Sequence, residues 1–109
     1  MLEALLGSEV EEKVLAFLRC RGEGYARQIA RFFDVSLAGV QKQLARLEEG
    51  GIVYSRPLGR TRVYAFHPRY PFLAELQALL DKALTFYPAR EREALLMDRR
   101  RLRKAGKPL

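Results

Sequence analysis

The chain has 109 residues, of which 49% are hydrophobic, which is enough for one compact domain with a small core and a short extension. Its 20 lysines and arginines exceed its 13 aspartates and glutamates, and the net charge of +7 favours nucleic acid, an anionic membrane surface or an acidic protein as partner. A single cysteine, Cys20, and a single histidine, His67, exclude an internal disulfide and a Cys/His zinc cluster within the chain. The lone cysteine also points to a reducing, cytoplasmic setting. The apolar runs are too short to span a membrane, and residues 1–7 lack the basic start of a signal peptide.

The first half of the chain predicts three helices. Ser8 is typical of a helix N-cap, and helical apolar spacing over 10–20 predicts the first helix, which two nearby glycines end. A second, short helix is predicted over 26–33. A third is predicted over 37–49, where Ser36 caps the helix after a tight turn.

The second half of the chain changes its periodicity. Residues 52–56 and 62–66 are rich in β-branched and aromatic types, and the Pro- and Gly-containing loop 57–61 between them predicts a β-hairpin. A wide apolar stripe over 72–87 predicts a further helix, ended by a proline. A last, very basic helix is predicted from 89 to about 104.

The order helix, helix, tight turn, helix, hairpin, helix is that of a winged helix-turn-helix. The stretch 29–53, which reads IARFFDVSLAGVQKQLARLEEGGIV, resembles the DNA-binding core of bacterial ArsR-type and MarR-type winged-helix transcriptional regulators. The resemblance extends over about 10–66. It implies a mainly α fold with a small β-hairpin: a three-helix core plus wing over 8–70, and a dimerisation helix with a basic tail helix over 71–109.

The third predicted helix, with its cap, is the candidate recognition helix (36–49), because a major groove is wide enough to admit an α-helix. With Val40, Leu44 and Leu47 facing inward, the opposite face is polar or small. The predicted DNA contacts on this helix are Ser36, Ala38, Gly39, Gln41, Lys42, Gln43 and Arg46. The resemblance places base reading at Ala38, Gly39, Gln41 and Lys42. The alternatives are an ordinary solvated helix face and, for Gln43, packing against the preceding helix.

The predicted hairpin carries a basic tip, the wing (56–62). Arg56, Arg60 and Arg62 lie around it with no acidic residue in the hairpin, which suits phosphates or a narrow minor groove. The alternative is a hairpin whose charges keep its edge soluble. Arg27 and Arg31 of the second helix are predicted to contact the DNA backbone.

The helix predicted over 72–87 has a wider apolar stripe than one small domain needs. The resemblance implies that helices outside the winged core build a two-fold dimer, so we expect a homodimer through this stripe. Its members are Phe72, Leu73, Leu76, Leu79, Leu80, Ala83, Leu84 and Tyr87. The alternative is packing within the chain.

The basic run 99–104 has two interpretations. It is either an auxiliary nucleic-acid contact or a solvated helix end. The apolar face of the last predicted helix is too thin for a membrane helix.

The sequence departs from metal-sensing ArsR regulators, which carry a cysteine pair on the second helix or His/Asp clusters on the dimer helix. We therefore expect no metal and no cofactor, and no residue set suggests an enzyme. The sequence predicts a sequence-specific double-stranded DNA-binding transcriptional regulator, a dimeric repressor by resemblance, whose effector the sequence leaves unknown. The alternative is a winged-helix adaptor that binds a protein or RNA and has no operator of its own.

Overall fold

A computed structural model describes residues 1–96. The predicted basic run 99–104 therefore lies outside the described residues. The elements in chain order are α1 (Glu3–Leu6), α2 (Glu9–Arg21), β1 (Glu23–Gly24), α3 (Ala26–Phe33), α4 (Leu37–Glu49), β2 (Val53–Leu58), β3 (Thr61–Phe66), α5 (Leu73–Leu84) and a helix over 89–96, here α6.

The three predicted helices of the first half are confirmed as α2, α3 and α4, and their ends have local causes. Ser8 Oγ accepts the backbone N–H of Glu11 at 2.9 Å, and Ser36 Oγ accepts that of Gly39 at 2.9 Å. Each cap satisfies one of the N–H groups that a helix start leaves without a partner. Between α3 and α4, Asp34 adopts the left-handed conformation (φ 57°), which an aspartate tolerates and which allows the short turn.

The predicted hairpin is confirmed, with a tighter turn than expected. Strands β2 and β3 pair from Val53↔Phe66 to Leu58↔Thr61, so the predicted loop 57–61 shrinks to Gly59 and Arg60. A positive φ at Gly59 (63°) fits the first central position of a type II′ turn. Pro57 lies within β2, which is an edge strand and tolerates a residue without an N–H.

Two short elements were not predicted. Glycine content suggested only a turn at 22–24, but Glu23 and Gly24 form β1, which pairs antiparallel with Ala65 and Tyr64 of β3 and gives the strand order β1-β3-β2. Helix α1 precedes α2 and ends at Gly7. The hairpin is therefore anchored on one edge by the residues that follow α2.

One hydrophobic core joins the winged part to the C-terminal helices. Phe17 is 0% exposed, and the same cluster includes Leu80 of α5 and Leu95 of α6. The Arg21 guanidinium lies 4.6 Å from the centroid of the Phe17 ring, and its Nε donates to the Leu95 carbonyl at 2.8 Å. This one side chain links α2 to α6.

Helix α5 is shorter than the predicted stripe, and part of that stripe is buried within the chain. Leu80 (1% exposed) and Ala83 (5%) belong to the chain's own interior, which favours the alternative of packing within the chain for these two residues. Leu76 and Leu84 pack against the same core. The helix ends at Leu84 rather than at 87, because the residues beyond it form turns that return Tyr87 toward α2.

The other members of the stripe have different surroundings. Phe72 precedes α5 and is 62% exposed, while Leu73 and Leu79 are half-buried. The Tyr87 hydroxyl donates to Glu12 Oε2 at 2.6 Å. None of the helices in residues 1–96 is long and apolar enough to cross a membrane.

Candidate nucleic-acid interface

Helix α4 presents the predicted division between a buried and an exposed face. Val40 and Leu44 are 0% exposed and Leu47 is 2% exposed, which confirms the inward face. The predicted DNA-contacting residues fall on the other side. Ser36, Ala38, Gln41, Lys42 and Arg46 are exposed, and Gly39 and Gln43 are half-buried. The first two turns of this exposed face carry no acidic side chain.

Two predicted contacts on α4 have side-chain oxygens that face the chain itself. Ser36 uses its hydroxyl oxygen as the N-cap acceptor, which leaves its O–H free to donate outward. Gln43 Oε1 is buried and has no hydrogen-bond partner in the described residues. This burial favours the packing alternative for Gln43 over a base contact.

Arg46 lies beside a buried carboxylate. Its Nη1 is 3.9 Å from Oε1 of Glu11, a side chain that is only 9% exposed. Burial raises the pKa of Glu11, and the nearby Arg46 charge opposes that shift. Sequence reasoning missed this pairing because Glu11 stands on α2, far from Arg46 along the chain. Arg46 is 67% exposed, so its guanidinium faces both this acid and solvent.

The wing itself contains no aspartate or glutamate, but in the folded chain acidic side chains from other elements lie beside it. Arg56 Nη2 is 3.0 Å from Glu23 Oε1, on the strand that the sequence did not predict. Both side chains are exposed, so the pair contributes about 0–1 kcal/mol to stability. Its main effect is to hold Arg56 in one position and to offset part of its charge.

A second contact holds the other strand of the wing. Arg62 Nε donates to Ser55 Oγ at 3.0 Å, and the Ser55 hydroxyl donates to Glu48 Oε2 at 2.8 Å. Glu48 lies in the last turn of α4. The wing is thereby oriented relative to the candidate recognition helix by side chains as well as by the backbone.

Arg60, at the tip of the wing, differs from its two neighbours. Within residues 1–96 its guanidinium makes no hydrogen bond or ion pair. It lines a cleft of about 480 Å³ between the wing and the starts of α3 and α4. We call this the wing cleft; its lining residues are Ala26, Arg27, Leu37, Gln41, Arg60 and Thr61. The structure thus brings together predicted contact residues from three elements.

Arg31, the remaining predicted contact, lies on α3, and Tyr25 lies just before that helix. Arg31 is exposed and does not line the wing cleft. Tyr25 is 38% exposed and is the N-cap residue of α3, and its backbone N–H donates to Gln28 Oε1 at 3.3 Å.

Across the part of the chain that is described, no three His, Cys, Asp or Glu side chains group closely enough to hold a metal ion. Cys20 is buried.

Comparison with solved structures identifies the fold. Reduced HlyU from Vibrio cholerae superposes with a TM-score of 0.59 at 17% identity, over 79% of this chain and 84% of that chain. A probable transcriptional regulator from Pseudomonas aeruginosa gives 0.59 at 21% identity, over 93% and 84%. A mutant of Lactococcus lactis ZitR in apo form gives 0.55 at 18% identity, over 89% and 82%.

These neighbours are winged-helix transcriptional regulators of the ArsR/SmtB and MarR-like kinds. The chain therefore has the winged helix-turn-helix fold, and the resemblance predicted from the sequence is confirmed at the level of the fold. No protein-family model matches the sequence, and no curated protein matches it.

Proposed function

We propose that the chain is a sequence-specific double-stranded DNA-binding transcriptional regulator. The observation that carries this proposal is the surface formed by α4 and the wing. The exposed first two turns of α4 are polar or small and free of acids, and they adjoin the basic tip of the wing across the wing cleft. A surface of this kind suits a major groove for the helix and the backbone or minor groove for the wing.

The side chains of α4 divide into two roles. Gln41 both donates and accepts hydrogen bonds, which suits adenine, and Lys42 reaches guanine or a phosphate. Ala38 and Gly39 are small, so the helix backbone approaches the base edges closely. Arg46 lies one turn further, beside Glu11, and in this proposal it contacts the phosphate backbone.

The proposed regulator is a homodimer, in which residues 8–70 bind DNA and residues from 71 onward contribute the dimer surface. The burial of Leu80 and Ala83 limits this surface to the outward side of α5 and its flanking loops. Two large exposed aromatic side chains lie there, Phe72 (62% exposed) and Phe86 (64%), the second of which the sequence reasoning did not include. Two-fold symmetry would present the two α4 helices to successive major grooves, about 34–36 Å apart. Occupying such a site would block polymerase, which is repression.

DNA recognition is tested by selection and titration. Full-length protein would select duplexes from a random pool, and fluorescence anisotropy would then compare a selected duplex with its scrambled counterpart at two salt concentrations. We expect a preference of about a thousandfold or more and a steep salt dependence. Equal, salt-sensitive binding of both duplexes would instead indicate an architectural DNA-binding role. No binding to either at micromolar protein would favour the adaptor.

Three variants test the assigned roles. Gln41→Ala and Lys42→Ala should reduce the preference for the selected duplex, whereas Arg60→Ala should weaken both duplexes alike and lower the salt slope. Arg90→Ala removes the same charge from an exposed position of α6, away from α4, the wing and the proposed dimer surface, and serves as the control. Equal losses on both duplexes for all three variants would contradict the assignment.

The dimer is tested separately by sedimentation equilibrium. Phe72→Ser should shift the protein toward the monomer. Leu58→Ser, which changes a similarly exposed apolar residue on β2 (56% exposed), should not. A wild-type protein that stays monomeric at tens of micromolar would refute the dimer and leave DNA binding by single subunits.

A further inference from the structure

A buried carboxylate lies beside one of the arginines on the exposed face of α4. Glu11 stands in the first turn of α2, and its side chain is only 9% exposed. Its Oε1 is buried and has no hydrogen-bond partner within residues 1–96. Arg46 Nη1, at 3.9 Å, is too far away for a hydrogen bond, but its charge acts on the carboxylate at that distance. A buried carboxylate without hydrogen bonds is costly to keep ionised, and protonation removes that cost.

The Arg46 guanidinium lies against the start of α2. A Cβ built on Gly7, which stands between α1 and the Ser8 cap of α2, would be 3.6 Å from Nη1 and 4.0 Å from Nη2 of Arg46. The start of a helix carries a partial positive charge, which by itself disfavours a cation at this place. Glu11 supplies the negative charge that attracts the guanidinium there.

The ionisation of Glu11 depends on its burial and on Arg46. Burial raises the pKa of Glu11, and the Arg46 charge opposes the rise. The neighbouring acid Glu12 is engaged elsewhere, by the Leu2 backbone and the Tyr87 hydroxyl. The other titratable or charged side chains on the elements that pack against α2 do not contribute to this shift; they are Glu3, Glu23, Arg27, Arg31, Lys42, Glu48, Glu49, Arg62, Tyr64, Glu75, Asp81 and Lys82. Glu11 and Arg46 therefore act on each other as a pair.

We propose that Glu11 is a positioning residue that competes with DNA for the Arg46 guanidinium, so that protonation of Glu11 strengthens DNA binding. The inference rests on the proposed function, in which Arg46 contacts a backbone phosphate. A phosphate brought to Arg46 places a second negative charge near the buried carboxylate, and the two anions repel each other. A proton taken up from solvent by Glu11 removes this repulsion and frees the guanidinium to turn toward the phosphate. DNA binding and proton binding then strengthen each other by the same factor.

The sign of the pH dependence follows from this repulsion. Because bound DNA disfavours the ionised carboxylate, Glu11 has a higher pKa in the complex than in the free protein. The affinity for DNA should rise as the pH falls through the pKa of the complex, and it should level off below the pKa of the free protein. The gain should be about three- to tenfold, as expected for two unit charges about 7 Å apart at an effective dielectric between those of bulk water and a protein surface.

The first experiment measures affinity against pH. Fluorescence anisotropy would follow the selected duplex from about pH 8 to about pH 5, at a temperature well below unfolding. The wild-type protein should bind more tightly as the pH falls. Glu11→Gln should bind about three- to tenfold more tightly than wild type at the upper end of the range and should lose this part of the pH dependence. The matched control is Glu9→Gln, which removes an exposed acid from the same turn of α2 and should keep the wild-type pH dependence.

Further variants assign the effect to the pair. His67 is the only histidine of the chain, and His67→Gln should keep the wild-type pH dependence because Glu11 is the titrating group. Arg46→Ala should weaken binding, and the addition of Glu11→Gln to it should give little further gain, because Glu11 acts through the guanidinium. A ¹³C NMR titration of the Glu11 carboxyl carbon should show that its pKa rises when the duplex is added.

The outcomes distinguish this inference from the proposed function. Duplex binding with the same pH dependence in wild type and Glu11→Gln would overturn the role of Glu11 and leave the regulator standing. Weaker binding by Glu11→Gln at about pH 8 would do the same, and so would an equal gain from Glu11→Gln in the presence and absence of Arg46. A wild-type protein that binds no duplex anywhere in this pH range would refute the regulator itself, and the role of Glu11 with it.

Discussion

Gly24 is the glycine at which we expect an added methyl group to lower the stability of the fold most. A Cβ built on Gly24 would lie 2.6 Å from Cε1 and 3.1 Å from Cδ1 of Phe17. Carbon atoms in contact normally lie about 3.5–4.0 Å apart, so about 1 Å of movement is needed. Phe17 has little freedom to supply it. The ring is 0% exposed, the Arg21 guanidinium covers it, and the Phe32 ring packs against it edge to face, with 5.9 Å between the two ring centroids.

The expected cost of Gly24→Ala follows from this geometry. Extra carbon forced into a close-packed core typically costs about 1–3 kcal/mol. For a domain of this size such a loss lowers the melting temperature by about 5–20 °C. Because Gly24 pairs with Tyr64 of β3, the strain also falls on the strand that anchors the hairpin. We therefore expect weaker binding of duplex DNA by the same variant at temperatures near its transition.

The assay is thermal and urea unfolding followed by circular dichroism, with Gly50→Ala as the matched control. A Cβ on Gly50 would be 3.6 Å from the nearest atom, the Arg46 carbonyl oxygen, and its backbone is right-handed (φ −80°). The control should be neutral or stabilising by about 0.4–1 kcal/mol, because alanine reduces the freedom of the unfolded chain. Equal stabilities for the Gly24 and Gly50 variants would refute the packing argument.

Further predictions concern buried and exposed charges. Burial raises the pKa of Glu11, so its ionised form costs stability above the unfolded pKa; Glu11→Gln should stabilise the fold at neutral pH, and the gain should vanish in acid. Burial also opposes ionisation of Glu12, but hydrogen bonds, chiefly from Tyr87 and the Leu2 backbone, outweigh it and lower the pKa. Glu12→Gln should therefore destabilise by about 1–3 kcal/mol at neutral pH, and the difference should shrink as pH falls below the unfolded pKa. Denaturant unfolding at pH 3–8 checks both, and the same sign for the two variants would contradict the account. Asp81→Ala breaks a two-bond pair with Arg19 but should cost no more than about 1 kcal/mol, less at high salt; a larger, salt-insensitive loss would mean that the pair is not a surface interaction.

Local sequence signals predicted most of the fold. Ser8 and Ser36 mark helix starts because a side-chain oxygen satisfies a backbone N–H within three residues, and this needs nothing from the rest of the chain. The inward positions of α4 follow from apolar spacing alone. Predictions were weaker at short elements. The strand at Glu23–Gly24 has no periodicity to detect and exists only because β3 supplies its hydrogen-bond partners.

The sequence predicted which residues form the candidate site, but it did not predict which acidic side chains pair with them. The exposed face of α4 and the basic wing tip follow from the sequence. The acids beside Arg56 and Arg46 do not, because Glu23 and Glu11 are distant along the chain and reach these arginines only after β1 and α2 have packed. For the same reason no local pattern distinguished Arg60, which lines the wing cleft, from Arg56, which is paired.

The sequence by itself determined the order and type of the main elements, the inward face of the candidate recognition helix and the excess of positive charge, since these depend on neighbours within about one helical turn. Only the tertiary structure decided which surface remains exposed. Leu80 lies in an apolar stripe like that of a dimer helix, yet it is buried in the chain's own core beside α2. Burial and charge pairing depend on distances through space, and those distances are set when the helices pack.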